Sequence, residues 1–398
     1  MSDITSCQRI YSIATDPIYI GTGGYTIGRV DNTIVRDPIT KIPEIPGSSV
    51  AGTWRYFVAL KLISEIKDYQ PDFEDIKNVS LDNEENNNKK SLSDKLKEYN
   101  WKNINEANEK DGKSFNKLED WIKFEGNQIA KITCAGQDNV PTAGIEAPDA
   151  KNKEGQTGHC GHCIVCKAFG YSKKDKSWQG MLFFSDLNIL FFPVYTRFGV
   201  KWISSKRILK AAGLLLNNNF EESTQEIVFV QEKIEEEKEK GYINLGWLNL
   251  PYKIEKLNID LDKVKSKDFE LKPQDVIVVS DSLISQIINS NLEVRTSVSI
   301  DPITGAAKEG ALFTSEAIPR GTIFYGEIRV FDRNNLNNEN LPSKEYIWQA
   351  LEDTKHYYET LGIGGMTTRG FGRMKILTKL RGGKCKEEDN PSGGNGNE

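Results

Sequence analysis

The segment HCGHCIVC constrains this chain more than any other stretch. Cys160, Cys163 and Cys166 form two successive C-x2-C steps, beside His159 and His162. That spacing brings three thiolates close enough together for a tetrahedral Zn²⁺, the alternative being free or redox-active thiols. One ligand position stays open, and His159 and Cys134 are the candidates for it. A closed set of four would be structural, because the binding energy of such a metal is folding energy. A catalytic zinc is not expected, since no Glu stands at the spacing of a metalloenzyme general base. Clustered cysteines also point to a reducing compartment, and the cytoplasm is the expected location.

A length of 398 residues is material for two or three domains or for one elaborated domain. The start, MSDITSCQRIYSI, lacks a basic segment followed by an apolar run, so no secretory leader is expected. Met181 to Val194 is apolar but interrupted by Ser185, Asp186 and Asn188, and is too short to cross a bilayer. No membrane partner is expected.

Strand and helix signals interleave without a βαβα rhythm. Alternation predicts a strand at about 9–15 and an extended piece at 33–36. A helix is expected from Val50, capped by Ser48 or Ser49, with Trp54, Phe57, Val58, Leu62 and Ile63 on its buried face. Two or three strands follow in 180–205, then an amphipathic helix in SKRILKAAGLLLNN. QDVIVVSDSLISQIINSN reads as strand, cap and short helix. A long hairpin turns at DPITG, 301–305. YIWQALEDTKHYYETLGIGG is a last helix, and GRMKILTKL a terminal strand. Composition shifts after Lys67, and the Asn-rich, charged stretch from Asn78 to Asn116 reads as a flexible or peripherally helical insertion. The run 231–240 reads as a solvated surface, and the tail from Gly382 as disordered. Together these signals favour an α+β class with an antiparallel sheet.

Two glycine-rich loops, GTGGYTIG (21–28) and GIGGMTTRGFGR (362–373), miss the dinucleotide pattern at Thr26 and Thr367. Each is either a tight turn or a backbone cradle for phosphate. Gly23 and Gly24 lie in the first, and Gly364, Gly365, Arg369 and Arg373 in the second. IPGSSVAGTWR offers Ser48, Ser49 and Arg55 at a helix start, which suits a phosphate or an ordinary cap. Asp31 alone reads as a turn residue. Of three histidines, two sit in the cysteine cluster, so a two-histidine acid–base nuclease is not expected. RNA chemistry here would lean on carboxylates, metal ions and basic residues.

Taken in order, GTGGYTIGRVDNTIVRDPITKIPEIPGSSVAGTWR, LFFSDLNILFFPVYTRFGVKWISS, LEVRTSVSIDPITGAAKEGALFTSEAIP and GGMTTRGFGR resemble the RAMP backbone subunits of type III CRISPR complexes. The later segments are most like the type III-B (Cmr) subunit. The GRVD loop and the cysteine cluster are similar to the type III-A (Csm) counterpart. This resemblance implies an RRM-like (ferredoxin-like) palm in segments 1–66, 171–293 and 318–381. It further implies an insertion or lid at 67–170 carrying zinc and a β-hairpin thumb at 294–317; the tail at 382–398 lies outside the resemblance.

It also implies a filament of copies along CRISPR RNA, with other complex subunits, and endonucleolytic cleavage of complementary single-stranded target RNA by Asp31 with Mg²⁺ or Mn²⁺. Arg29 and Arg295, with the glycines, serines and arginines named above, would hold RNA. The family's Lys in the IPGSS segment is replaced by Ala51, leaving Ser48, Ser49 and Arg55. Two rival readings are a catalytically silent guide-binding subunit and an unrelated zinc-stabilised RNA-binding protein. A net charge of -5 excludes a bulk polycation. It leaves room for a local basic face built from Arg29, Arg36, Arg55, Arg295, Arg369, Arg373 and Lys375.

Overall fold

In the computed structural model the described residues are 4–23, 30–68, 90–111, 118–125, 128–136, 158–172, 177–215, 228–230, 240–254, 258–333 and 341–383. The strands are β1 (Thr5–Ala14), β2 (Glu44–Ile45), β3 (Ile122–Glu125), β4 (Gln128–Ile132), β5 (Tyr171–Ser172) and β6 (Ser177–Trp178). They continue with β7 (Leu182–Phe184), β8 (Leu187–Thr196), β9 (Gly199–Ser205), β10 (Val228–Val230), β11 (Lys240–Leu245) and β12 (Leu248–Ile254). The last are β13 (Val276–Val279), β14 (Glu293–Ile300), β15 (Ala307–Ala317), β16 (Ile323–Phe331) and β17 (Met374–Ile376). The helices are α1 (Gly47–Asp68), α2 (Leu92–Asp111), α3 (Leu118–Trp121), α4 (Ile164–Phe169), α5 (Lys206–Ala211), α6 (Asp281–Ser290), α7 (Lys344–Thr354) and α8 (Tyr357–Thr360).

An eleven-stranded sheet runs in the order β11-β12-β10-β13-β9-β8-β16-β1-β17, with β2 on β8 and β7 on β16. Strand β8 is almost wholly buried, from Leu187 to Val194, because both its faces are covered; hence its nearly unbroken apolar run. The class is mixed α+β. The sheet is not purely antiparallel, since β9 pairs β13 and β10 pairs β12 in parallel.

Aromatic packing fixes α1 against α7 and α8. Trp54 and Phe57 meet Tyr358 edge-on, at ring centroids of 5.2 and 5.0 Å. Tyr358 Oη donates to the Val50 carbonyl at 3.0 Å, and Trp54 Nε1 to Thr354 Oγ1 at 3.1 Å. Both polar tips of these buried rings are thereby satisfied.

Local signals set these boundaries only in part. The first strand begins at Thr5, earlier than the alternation indicated. Helix α1 begins at Gly47, so Ser48 and Ser49 lie in its first turn and neither is the cap. Its first N–H donates at 2.6 Å to Asp186 Oδ1, an acceptor from the β7–β8 loop. Gly47 is required there, because a Cβ would stand 2.7 Å from the Phe184 carbonyl oxygen. Helix α5 stops at Ala211, ended by Gly213 at φ +69°, and the last helical segment divides into α7 and α8. Within the Asn-rich stretch α2 buries Leu96, Trp101 and Ile104. Gly382 and Gly383 are ordered, against the expected start of the tail: Cys7 N–H donates to Gly383 O and Gly382 N–H to Gln8 Oε1. The remainder of the tail and residues 231–239 lie outside the described residues.

Candidate nucleic-acid interface and metal centre

Among the described residues, strands β14 and β15 form a two-stranded sheet of their own, with Glu293 opposite Ala317 and Val298 opposite Leu312, and β15 carries one further bridge, from Ser315 to Asn32. Most of the hairpin is exposed, and Ile303 at its turn is 92% exposed. Asp301 Oδ1 accepts from the N–H groups of Ile303 and Thr304, an Asx turn that shapes the tip.

The segment 31–32 docks on the foot of this hairpin. Asp31 Oδ2 accepts from Thr314 N at 2.8 Å and from Thr314 Oγ1 at 2.9 Å. The same hydroxyl oxygen accepts from Asp31 N at 3.1 Å. Asn32 then exchanges backbone hydrogen bonds with Thr314 and Glu316. The Thr314 backbone N–H, with its hydroxyl second, holds the exposed Asp31 carboxyl below the ordinary carboxylate range. Asp31 is therefore ionised at neutral pH. Its Oδ1 accepts no hydrogen bond from another of the described residues.

Beside it, Arg36 joins three elements. Its guanidinium donates to Glu316 at 2.6 Å, to Asn289 Oδ1 at 2.9 Å and to the Ile34 carbonyl.

The carboxyl-terminal glycine loop packs against the segment leading into the first one. Gly365 N–H donates to Tyr19 O at 3.0 Å, and Gly372 N–H to Pro17 O at 2.8 Å. The Gly365 amide is thus taken up inside the fold, contrary to a role as a phosphate donor. Gly364 has φ +83°, and a Cβ there would overlap the Tyr19 carbonyl oxygen. Gly23, at φ +75°, has open space around it; Gly24 and Arg29 lie outside the described residues.

Arg295 ties this loop to the hairpin. Its guanidinium pairs with Glu293, donates to Gly370 O at 3.1 Å and lies 4.7 Å from the centre of the Phe371 ring. Arg373 pairs with Asp16. The Arg369 side chain is exposed and makes no ion pair or side-chain hydrogen bond among the described residues. Ser48 is exposed and Ser49 half-buried at the start of α1. Gly364→Ala is expected to cost about 2–5 kcal/mol, from left-handed strain plus overpacking. Gly23→Ala should cost about 1 kcal/mol, from strain alone. Urea denaturation midpoints compare the two.

Arg55 corrects its sequence reading. It points away from the start of α1 and into the cysteine cluster, donating to Cys134 O at 2.9 Å and Gly170 O at 2.6 Å, with His159 Nδ1 at 3.0 Å from its third nitrogen. A guanidinium so engaged does not reach a phosphate.

The cluster it braces holds Cys134, Cys160, Cys163 and Cys166, all buried, with every sulfur within 4.8 Å of the others. Three of the separations are 3.5 Å (Cys134–Cys166), 3.7 Å (Cys134–Cys163) and 4.0 Å (Cys160–Cys166). Four thiolates at about 2.3 Å from a tetrahedral ion stand about 3.8 Å apart, so the donor set fits a metal such as zinc. Of the two candidates for the open position, Cys134 is the one whose sulfur joins the set. The N–H groups of His162 and Cys163 donate to Cys160 Sγ, and that of Cys160 to Cys134 Sγ, at 3.3–3.4 Å. Such bonds orient thiolate ligands and stabilise their charge.

Among the described residues no helix is long and apolar enough to cross a membrane. Residues 13–375 match the model of the RAMP superfamily. A stretch of 44 residues, 11% of this chain, is 48% identical to the CRISPR system Cms endoribonuclease Csm3 of Enterococcus italicus. The match spans 21% of that relative's length, about a fifth. Similar solved structures include the type III-B Cmr-beta bound to cognate target RNA, at 14% identity and a TM-score of 0.48, covering 93% of this chain and 97% of that one. Oligomeric Cmr4 from Pyrococcus furiosus aligns at 16% identity and a TM-score of 0.43, over 96% and 99% of the two chains.

Proposed function

Because the chain belongs to the RAMP superfamily, we propose that it is a backbone subunit of a type III CRISPR effector complex, acting in the cytoplasm. In this reading copies of it line a CRISPR RNA beside the complex's other subunits and cut complementary single-stranded target RNA at regular intervals. The observation that carries the reading is the exposed, ionised Asp31 carboxylate seated on Thr314 at the foot of a solvent-exposed hairpin.

Further features agree. The order β8-β16-β1-β17 is fully antiparallel, with α1 following β1 and α7 preceding β17. That is the βαββαβ arrangement of a ferredoxin-like palm. The hairpin serves as the thumb, with exposed Ile303 and Leu312 as apolar contacts for a displaced base pair. The four cysteines hold structural zinc in the lid. Arg369, Arg295, Ser48, Ser49 and Gly23 remain the candidates to meet RNA, with Arg373 at their edge, and Gly24 and Arg29, outside the described residues, stay among them.

Cleavage in this reading is attack of a 2'-oxygen on the adjacent phosphorus, with departure of the 5'-oxygen. The products are a 2',3'-cyclic phosphate and a 5'-hydroxyl. Holding a kinked nucleotide so that these three atoms align supplies much of the acceleration. A carboxylate with a depressed pKa is a weak general base at neutral pH, so Asp31 acts by holding the 2'-hydroxyl or a cation. Mg²⁺ or Mn²⁺, when bound, would neutralise phosphate charge; Asp31 offers such an ion one oxygen, leaving the others to water and phosphate.

The test is reconstitution with a guide RNA and labelled targets. A matched target should yield fragments ending in cyclic phosphate at a constant spacing, and a mismatched one none. A matched target that stays intact in an assembled complex would leave only the silent structural subunit.

A further inference from the structure

We propose that the outer face of the β11–β12 hairpin, with Trp247 at its turn, is a stacking surface for unpaired bases of single-stranded RNA. The inference rests on the RNA-guided reading above and extends the interface beyond Asp31.

Leu245 pairs with Leu248, closing a two-residue turn with Gly246 at φ +64° and Trp247 next. Trp247 is 85% exposed. The turn is seated, since a Cβ on Gly246 would overlap the Asn291 side-chain amide. That amide donates to Ile287 O at 2.8 Å and Ser290 Oγ at 3.1 Å, at the end of α6. Two residues later the chain enters β14 at Glu293, the partner of Arg295. Trp247 therefore stands on the structure that carries the foot of the exposed hairpin.

The two faces of β11–β12 differ. Ile243, Leu245 and Tyr252 are buried inward. Outward, Tyr242 is 62% exposed and Asn244 faces Asn249, both exposed. The backbone register ends with Lys240 opposite Lys253. Residues 240–254 contain two lysines and no acid, in a chain whose net charge is -5.

Aromatic planes accept any base, amides accept base edges, and a positive segment suits phosphate. A protein partner driven by apolar burial fits less well, because the Asn pair occupies the middle of the face and the half-buried ring of Pro251, opposite Tyr242, is the one aliphatic group that the register places on it.

The test uses the full chain, a fluorescein-labelled unstructured RNA of about 20 nucleotides and fluorescence anisotropy at fixed salt, with sedimentation alongside. Losing one stacked base should weaken binding by roughly 5- to 150-fold in Trp247→Ala. Trp247→Phe should recover most of that loss, and the sedimentation of all three proteins should agree. Unchanged RNA affinity in Trp247→Ala overturns this inference and leaves the RNA-guided reading standing. Unchanged affinity with altered sedimentation also overturns it, and assigns the face to contact between copies. A wild-type chain that binds no RNA overturns the RNA-guided reading and this extension of it together.

Discussion

Asp31→Asn is expected to lower target-RNA cleavage by about 100-fold or more, with guide-RNA binding and assembly intact. The amide keeps an oxygen that can accept from Thr314, so the 31–32 segment stays docked while the charge is lost. Asp31→Ala removes the acceptor for both Thr314 donors as well. Because the site is exposed, water replaces those bonds, and folding should be little affected. Asn therefore separates the charge from the docking, and Ala removes both. Cleavage that survives in both variants would remove Asp31 from the chemistry.

The pH dependence has a definite sign. The folded pKa is depressed. The docking contribution of the ionised carboxylate is thus complete above the unfolded value of about 3.9 and fades as pH falls through the lower folded value. From neutral down to mildly acid pH, Asp31 should add no acid limb to the cleavage profile. Thr314→Val keeps the backbone donor and deletes the hydroxyl, so its acid limb should move upward.

Cys163→Ser is expected to have the largest effect on folding. The native chain should carry about one equivalent of zinc, and the variant should lose it together with most folded protein. In structural zinc sites the metal's binding energy, about 10–16 kcal/mol in small peptides, is folding energy. Cys163 is fully buried and opens α4, whose Ile164, Val165 and Cys166 are buried too. A bare pocket there would also loosen the Arg55 contacts to Cys134 and Gly170, and so the seat of α1. His159→Ala distinguishes ligand from brace. Since Cys134 completes the sulfur set, this variant should retain its metal with a lower thermal midpoint. Elemental analysis beside circular dichroism reads both outcomes, and metal-free protein with a native melting curve would refute a structural site.

What could be read from the sequence was what is local. Three cysteines within seven residues point to a metal by spacing alone, and the hairpin announces itself by alternation around Asp301 to Gly305. The fourth cysteine is far upstream and carries no local periodicity; folding alone selects it over His159. Asp31 shows the same division. As an isolated acid it reads as a turn residue, and only family resemblance raises it to a reactive group. Its partner Thr314 is 283 positions away, and no pattern links them.

The nearness of Arg55 to a helix start suggests a phosphate, whereas a side chain one turn further in faces whatever packs there, here the cysteine cluster. The acceptor for the first N–H of α1 is Asp186, 139 positions on. Ser48 and Ser49, good caps by type, are displaced by it. The glycine loops read as tight turns or phosphate cradles, yet Gly364 and Gly372 serve chiefly to let one backbone lie against another.

The contact between Asp31 and Thr314 couples the acid to the hairpin. The carboxylate is fastened to the hairpin strand itself, through main chain and side chain together. In the proposed filament, whatever tilt or stretch separates neighbouring subunits, acid and hairpin travel as one piece. If Asp31 is the blade, it is mounted on the ruler: under the proposed function the cutting interval would be inherited from hairpin spacing and would need no separate gauge.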